Sequence, residues 1–156
     1  MLIELAVSFI AALAFAVVFN VPVRYLLPGA LAGAIGWLIF RSFGSMNTAI
    51  FLASVGIGLM AEGGARILRI PVLIIAVPGI IPLVPGVGAY STMLALVKGN
   101  FIVALTTGTE TLFAAGAIAV GIAVATVPLR LVWKGGAGHV RKTAHTYITS
   151  FDSPKR

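Results

Sequence analysis

Acid–base, nucleophilic and metal chemistry have little to draw on in this sequence. It holds four acidic residues (Glu4, Glu62, Glu110 and Asp152), two histidines (His139 and His145) and no cysteine. No phosphate-binding glycine loop, H-E-x-x-H helix or G-x-S-x-G elbow occurs, and neither histidine has a paired acid near it. The histidines do not share a helix face well, and without thiolates no metal site is expected. The chain reads as a non-enzyme with no cofactor. Three acids remain as candidates for other work, because Glu4, Glu62 and Glu110 lie at the ends of apolar segments, where an ionisable group is a functional candidate by default. Glu110 stands in the run Thr106-Thr107-Gly108-Thr109-Glu110-Thr111. It fits either a proton-coupling carboxylate or an acid at a helix start, stabilised by the dipole and the threonine hydroxyls. Glu62 and Arg66, four residues apart, are a second coupling or gating candidate. Their plainer reading is a surface ion pair worth about 0.3–0.5 kcal/mol.

A different kind of chemistry is available to the backbone. The stretch Ile70–Thr92 carries Pro71, Pro78, Gly79, Pro82, Pro85, Gly86 and Gly88. An interior proline removes a backbone donor and clashes with the turn before it, at about 3 kcal/mol. The expectation is a helix to about Val77, an extended stretch, and a second helix from about Gly88 to Val97. Unwound backbone at membrane depth is tolerated only inside protein or beside a water-filled cavity. A break of this kind could bind solute. The second half-helix would offer free N–H groups and a positive dipole end to a carboxylate. The first half-helix and the extended stretch would offer carbonyls to an ammonium or a coupling ion. Tyr90, Ser91 and Thr92, in the first turn of the second half, would add hydroxyls. The expected substrate site is therefore Pro78, Gly79, Pro82, Pro85, Gly86, Gly88, Tyr90 and Ser91. The plainer alternative is a rigid hinge, or a loop at the membrane surface.

The elements that must carry such a site follow from composition. Of 156 residues, 60% are hydrophobic and only 10% charged, against about 25% charged in a soluble domain. Segments such as Leu5–Phe19 and Leu112–Leu129 are apolar on every face, which favours spanning helices over the alternation of a barrel. The predicted fold is an all-α polytopic membrane bundle. Five spans are expected, at about 5–19, 26–40, 46–61, 70–97 and 111–129, with the fourth broken. They form a membrane domain over 1–134, followed by a basic tail over 135–156. The first residues hold Glu4 and no Lys or Arg, unlike a secretory signal, so the first segment is expected to be a span rather than a cleaved leader. Gly29 and Gly33 form a G-x-x-x-G pair. Glycines recur in the third and fifth spans too, as expected where helices pack closely or meet a further subunit, a second copy of the chain included.

The net charge of +7 flanks apolar segments, which points to membrane topology rather than to nucleic acid. Five crossings put Arg24, Arg66, Arg69, Arg130, Lys134, Arg141, Lys142, Lys155 and Arg156 on one side and Arg41 and Lys98 on the other. The basic-rich side should be cytoplasmic, so the C-terminus is expected inside and the N-terminus outside. A re-entrant fourth segment would dilute that asymmetry. The basic tail suits an orientation signal, or a contact with anionic lipid.

The run Val77-Pro-Gly-Ile-Ile-Pro-Leu-Val-Pro-Gly-Val-Gly-Ala-Tyr90, with Ala65-Arg66 and Pro71 leading into it, resembles the signature of the threonine/serine exporter family, in its C-terminal membrane half. The length and span layout look like the form in which that half is a separate small subunit. The resemblance implies export of small amino acids driven by the proton gradient, a larger partner subunit of the same family, and residence in the plasma membrane of a prokaryote. Split pairs of the family also imply a dicarboxylate exporter as the alternative. A third possibility is an assembly subunit that does not itself transport.

Overall fold

The computed structural model describes the backbone of residues 1–133 and the side chains of residues 1–128. The expected tail, 135–156, lies outside the described residues. Among them the chain forms α1 (Leu2–Val18), α2 (Val23–Ser42), α3 (Met46–Leu68), α4 (Leu73–Ile80), a 3₁₀ turn (Ile81–Leu83), α5 (Gly86–Val97) and α6 (Phe101–Trp133). No strand occurs among the described residues. Met1–Thr126 form one compact unit and a second begins at Val127; the packing below belongs to the first.

Three helices stop where the sequence supplies a left-handed residue. Asn20 (φ 55°) ends α1, Arg69 (φ 54°) ends α3 and Gly99 (φ 72°) follows α5. In each case the next amide reaches back to close the last turn: Val21 to Ala16 O, Ile70 to Ala65 O and Asn100 to Ala95 O, at 2.9–3.0 Å. Pro22 and Pro71 then forbid continuation.

α2 is the centre of the bundle and packs against α1, α3 and α4. Its small residues make this possible. A Cβ added at Gly33 would lie 2.6 Å from Ala12 Cβ and 3.4 Å from Pro82 Cγ, and one added at Gly29 would lie 3.4 Å from Pro78 Cβ. Ala30, Ala32 and Gly36 are buried along the same helix. The core between these helices is built on Ile50, Ile57, Ile75 and Leu83.

The broken segment is shorter in its break than the sequence predicts. Pro78 and Gly79 do not unwind; both are buried inside α4. Pro78 deprives the Ile74 carbonyl of its amide, and that carbonyl faces Gly29, 3.9 Å from an added Cβ. α2 approaches closely at this turn, which stays helical. Pro82 falls in the first turn of the 3₁₀ segment, and Pro85 precedes α5. The chain leaves helical geometry only at Val84–Pro85, and the two arms differ in direction by 54°.

Register fixes the sense of each helix. Gly121 lies against Phe51 and Ser54, and Gly58 against Ile122 and Ala125, so α6 advances in the same sense as α3. The intervening α4–α5 pair must then carry the chain from one end of the bundle to the other. α2, α3 and Phe101–Pro128 are each long and apolar enough to cross a membrane, the bent pair makes a fourth where it is counted as one span, and the apolar α1 has 17 residues. The fold is a polytopic helical bundle.

Two helices run beyond the expected spans. α3 continues past the expected end at Ala61 to Leu68, because nothing in Glu62–Leu68 stops it. The expected loop before the last span is helical from Phe101. The threonine hydroxyls there donate to carbonyls a turn back, such as Thr107 to Val103 O (2.8 Å) and Thr111 to Thr107 O (2.6 Å), so a polar run is accommodated within a helix. Glu110 is accordingly not at a helix start.

Candidate functional site

The break opens a cleft of about 430 Å³. One wall is the turn itself, Val84 to Gly88, with Ser91 one turn further along α5. A second wall is the start of α3, Met46 and Asn47. The third is one face of α6: Thr107, Glu110, Thr111 and Ala114. That last set is spaced i, i+3, i+4, i+7, the interval of a single helix face.

The start of α5 is uncapped. Pro85 makes no side-chain hydrogen bond to it. Gly86 N–H donates to Val84 O at 2.7 Å and Ala89 N–H to Pro85 O at 3.2 Å. The amides of Val87 and Gly88, between them, have no acceptor one turn back, as at any helix start. Glu110 faces the same cleft and is solvent-exposed. The cleft thus joins a carboxylate on one wall to helix-start amides on the other, with partial positive charge at the latter.

Threonines hold the walls at a fixed spacing. The Thr92 hydroxyl donates to Gly88 O at 2.8 Å and to Thr107 Oγ1 at 3.1 Å, one proton shared between two acceptors. A Cβ at Gly88 would overlap the Thr111 hydroxyl, and one at Gly108 would sit 3.1 Å from Thr92 Cγ2. Only small residues allow α5 and α6 to approach this closely.

Of the site residues read from sequence, Pro85, Gly86, Gly88, Ser91 and Glu110 line this cleft. Pro78 and Gly79 do not: they are packing residues against α2. Pro82 lines a separate cleft against α1. Tyr90 is 67% exposed and is not among the lining residues. Glu62 and Arg66 are brought together, but away from the cleft and not on the surface. Arg66 Nη2 lies 2.8 Å from Glu62 Oε1, and Glu62 is only 4% exposed. Asn47, Thr107 and Thr111 were not singled out by the sequence. The i, i+3, i+4, i+7 interval from Thr107 to Ala114 was the signal that could have found the α6 wall.

The family profile described as Threonine/Serine exporter, ThrE, matches residues 4–127. The chain belongs to this family. The match takes in all five expected spans nearly in full, the break and every residue that lines the cleft at the break. No solved structure matches this member of the exporter family. The family is one of membrane transporters, in keeping with the apolar helices.

Proposed function

We propose that this chain is the small membrane subunit of a secondary exporter of threonine and serine, working with a larger subunit of the same family. The observation that carries the reading is the placement of Glu110 across the cleft from the uncapped start of α5. A zwitterionic amino acid suits both walls: its carboxylate to the Val87 and Gly88 amides, its ammonium to Glu110. Ser91, Thr107 and Thr111 supply hydroxyls for a side chain of threonine size. A dicarboxylate would set its second negative charge against Glu110, which favours the amino acid over the alternative substrate.

Proton coupling follows from the same carboxylate. A proton and an ammonium compete for Glu110, so protonation from outside would release substrate and deprotonation would restore its site. The orientation we propose has the C-terminus and the tail 135–156 in the cytoplasm and the membrane domain over 1–134 in the plasma membrane. The larger subunit finds support in the α5–α6 hairpin. α6 has 33 residues, about 50 Å of helix, against about 30 Å of hydrocarbon. Tyr90, Met93, Phe101, Ile102, Leu105, Leu112 and Phe113 are all more than 60% exposed on that hairpin, a surface suited to a partner subunit, whether the larger chain or a second copy.

The test is counterflow in proteoliposomes with the full chain, alone and with its larger subunit. Threonine and serine exchange is expected to need both chains and to collapse on Glu110→Gln. Succinate exchange in place of threonine would overturn the substrate. Undiminished exchange by Glu110→Gln would overturn the site. Full activity of the larger subunit without this chain would leave it an assembly subunit.

A further inference from the structure

We infer that a second cleft, between α1 and α2 beside Pro82, is a binding station for a small zwitterionic amino acid. The class of ligand rests on the export reading above; the existence of the site rests on the geometry below. The cleft measures about 290 Å³, and Glu4, Ser8 and Trp37 line it together with apolar Ile3, Val7 and Pro82. Three polar atoms buried there have no hydrogen-bond partner: Glu4 Oε2, Ser8 Oγ and Trp37 Nε1.

Buried polar atoms are ordinarily satisfied, and each exception calls for a cause. Ser8 makes the point most directly. It is 4% exposed and one turn beyond the Glu4 carbonyl, the usual acceptor for a helical serine. Ser54, equally buried on α3, uses that arrangement, donating to Ile50 O at 2.7 Å, and Thr126 does the same with Ile122 O at 2.9 Å. Ser8 does not. Its hydroxyl is left for something in the cleft.

The donor and acceptor set specifies what that is. Trp37 Nε1–H can only donate, Ser8 can donate or accept, and an ionised Glu4 can only accept. Arg41 Nε lies 3.2 Å from Glu4 Oε2, near enough to balance its charge, yet without hydrogen-bond alignment. The site is thus close to neutral and carries both signs of polarity. An ammonium on Glu4 and a carboxylate on the Trp37 and Ser8 donors would satisfy all three orphaned atoms, and the apolar remainder suits a short side chain. A dicarboxylate would satisfy only the donors. The same small class of ligand therefore fits both sides of the broken segment, since Pro82 borders this cleft and Val84–Gly88 the other.

The chain has two tryptophans, Trp37 and Trp133, so Trp133→Phe leaves Trp37 as the only indole reporter. The experiment is a fluorescence titration of that full-length variant in nanodiscs with L-threonine, and in parallel with succinate. A saturable change with threonine and none with succinate is expected. Ser8→Ala and Glu4→Gln should each raise the half-saturating concentration about tenfold or more. A silent Trp37, an equal response to succinate, or an unchanged titration in both variants would overturn the station; the first of these needs no variant in the cleft to fold. Glu110→Gln separates the two sites. Export that survives Glu110→Gln while Trp37 titrates sinks the first cleft alone, and export lost with Trp37 silent sinks the second alone.

Discussion

Gly88 on α5 faces Thr111 on α6 so closely that a single added methyl group would overlap the threonine hydroxyl. The relationship sets the width of the cleft at the break, because both residues line it. Gly88→Ala is expected to push the walls apart, costing about 1–3 kcal/mol and abolishing most threonine counterflow. Gly86, two residues earlier, has nothing within 4 Å of an added Cβ. Gly86→Ala should leave the melting temperature unchanged. Thermal unfolding of the two variants side by side checks the contrast.

The α1–α2–α4 seam depends on Gly33. A Cβ there meets the Ala12 methyl at 2.6 Å, an atom fixed to the α1 backbone rather than the end of a flexible side chain. Gly33→Ala should destabilise the bundle by about 1–3 kcal/mol, whereas Gly44→Ala, in open surroundings, should not. Detergent-resistance or scanning-fluorimetry profiles would read the difference.

Glu62 and Arg66 form a pair that is largely out of solvent, with side-chain exposures of 6% and 28%. Removing Arg66 takes a charged partner from the more deeply buried member, and breaking a buried pair costs about 3–5 kcal/mol. Arg66→Ala should therefore unfold far more readily than Glu62→Gln, and Glu62→Gln added to Arg66→Ala should recover part of the loss. A double-mutant cycle on thermal stability measures the coupling.

Tyr90 gives a prediction of no effect. It is exposed and does not line the cleft, and surface substitutions change stability by about 0.5 kcal/mol or less. Tyr90→Phe should keep the stability of the chain, and the threonine counterflow of the chain reconstituted with its larger subunit, at the parent level. A loss of transport without loss of fold would mean that Tyr90 meets substrate or the partner subunit.

The sequence carried the bundle and the location of the cleft further than it carried the details of either. Unbroken apolar segments make spanning helices the economical reading, and the Pro/Gly run marks the interruption. Reading every proline as a breaker overextended it. Pro78 stays helical where Gly29 and its neighbours let α2 press against the freed carbonyl, a tertiary contact absent from local propensity. The start of α6 was hidden for the converse reason. Threonines favour loops in water, but here their hydroxyls return to the helix carbonyls. Burial of Glu62 was out of reach as well, since the spacing to Arg66 is the same for a surface pair and an enclosed one. The orphaned Ser8 could not be seen without the positions of Trp37 and Pro82 around it.

The turn Ile81–Leu83 has consequences beyond interrupting a helix. It is a partition wall: Pro82 belongs to one chamber, and the residues that follow it border the other. Coupling between the chambers, where binding in one moves that wall, would run both ways. Whatever a solute in one does to the affinity of the other, the second does to the first by the same factor, since binding linkage is reciprocal. Three residues with no side chain capable of chemistry are then the natural place for an exporter to keep account of which side has been filled.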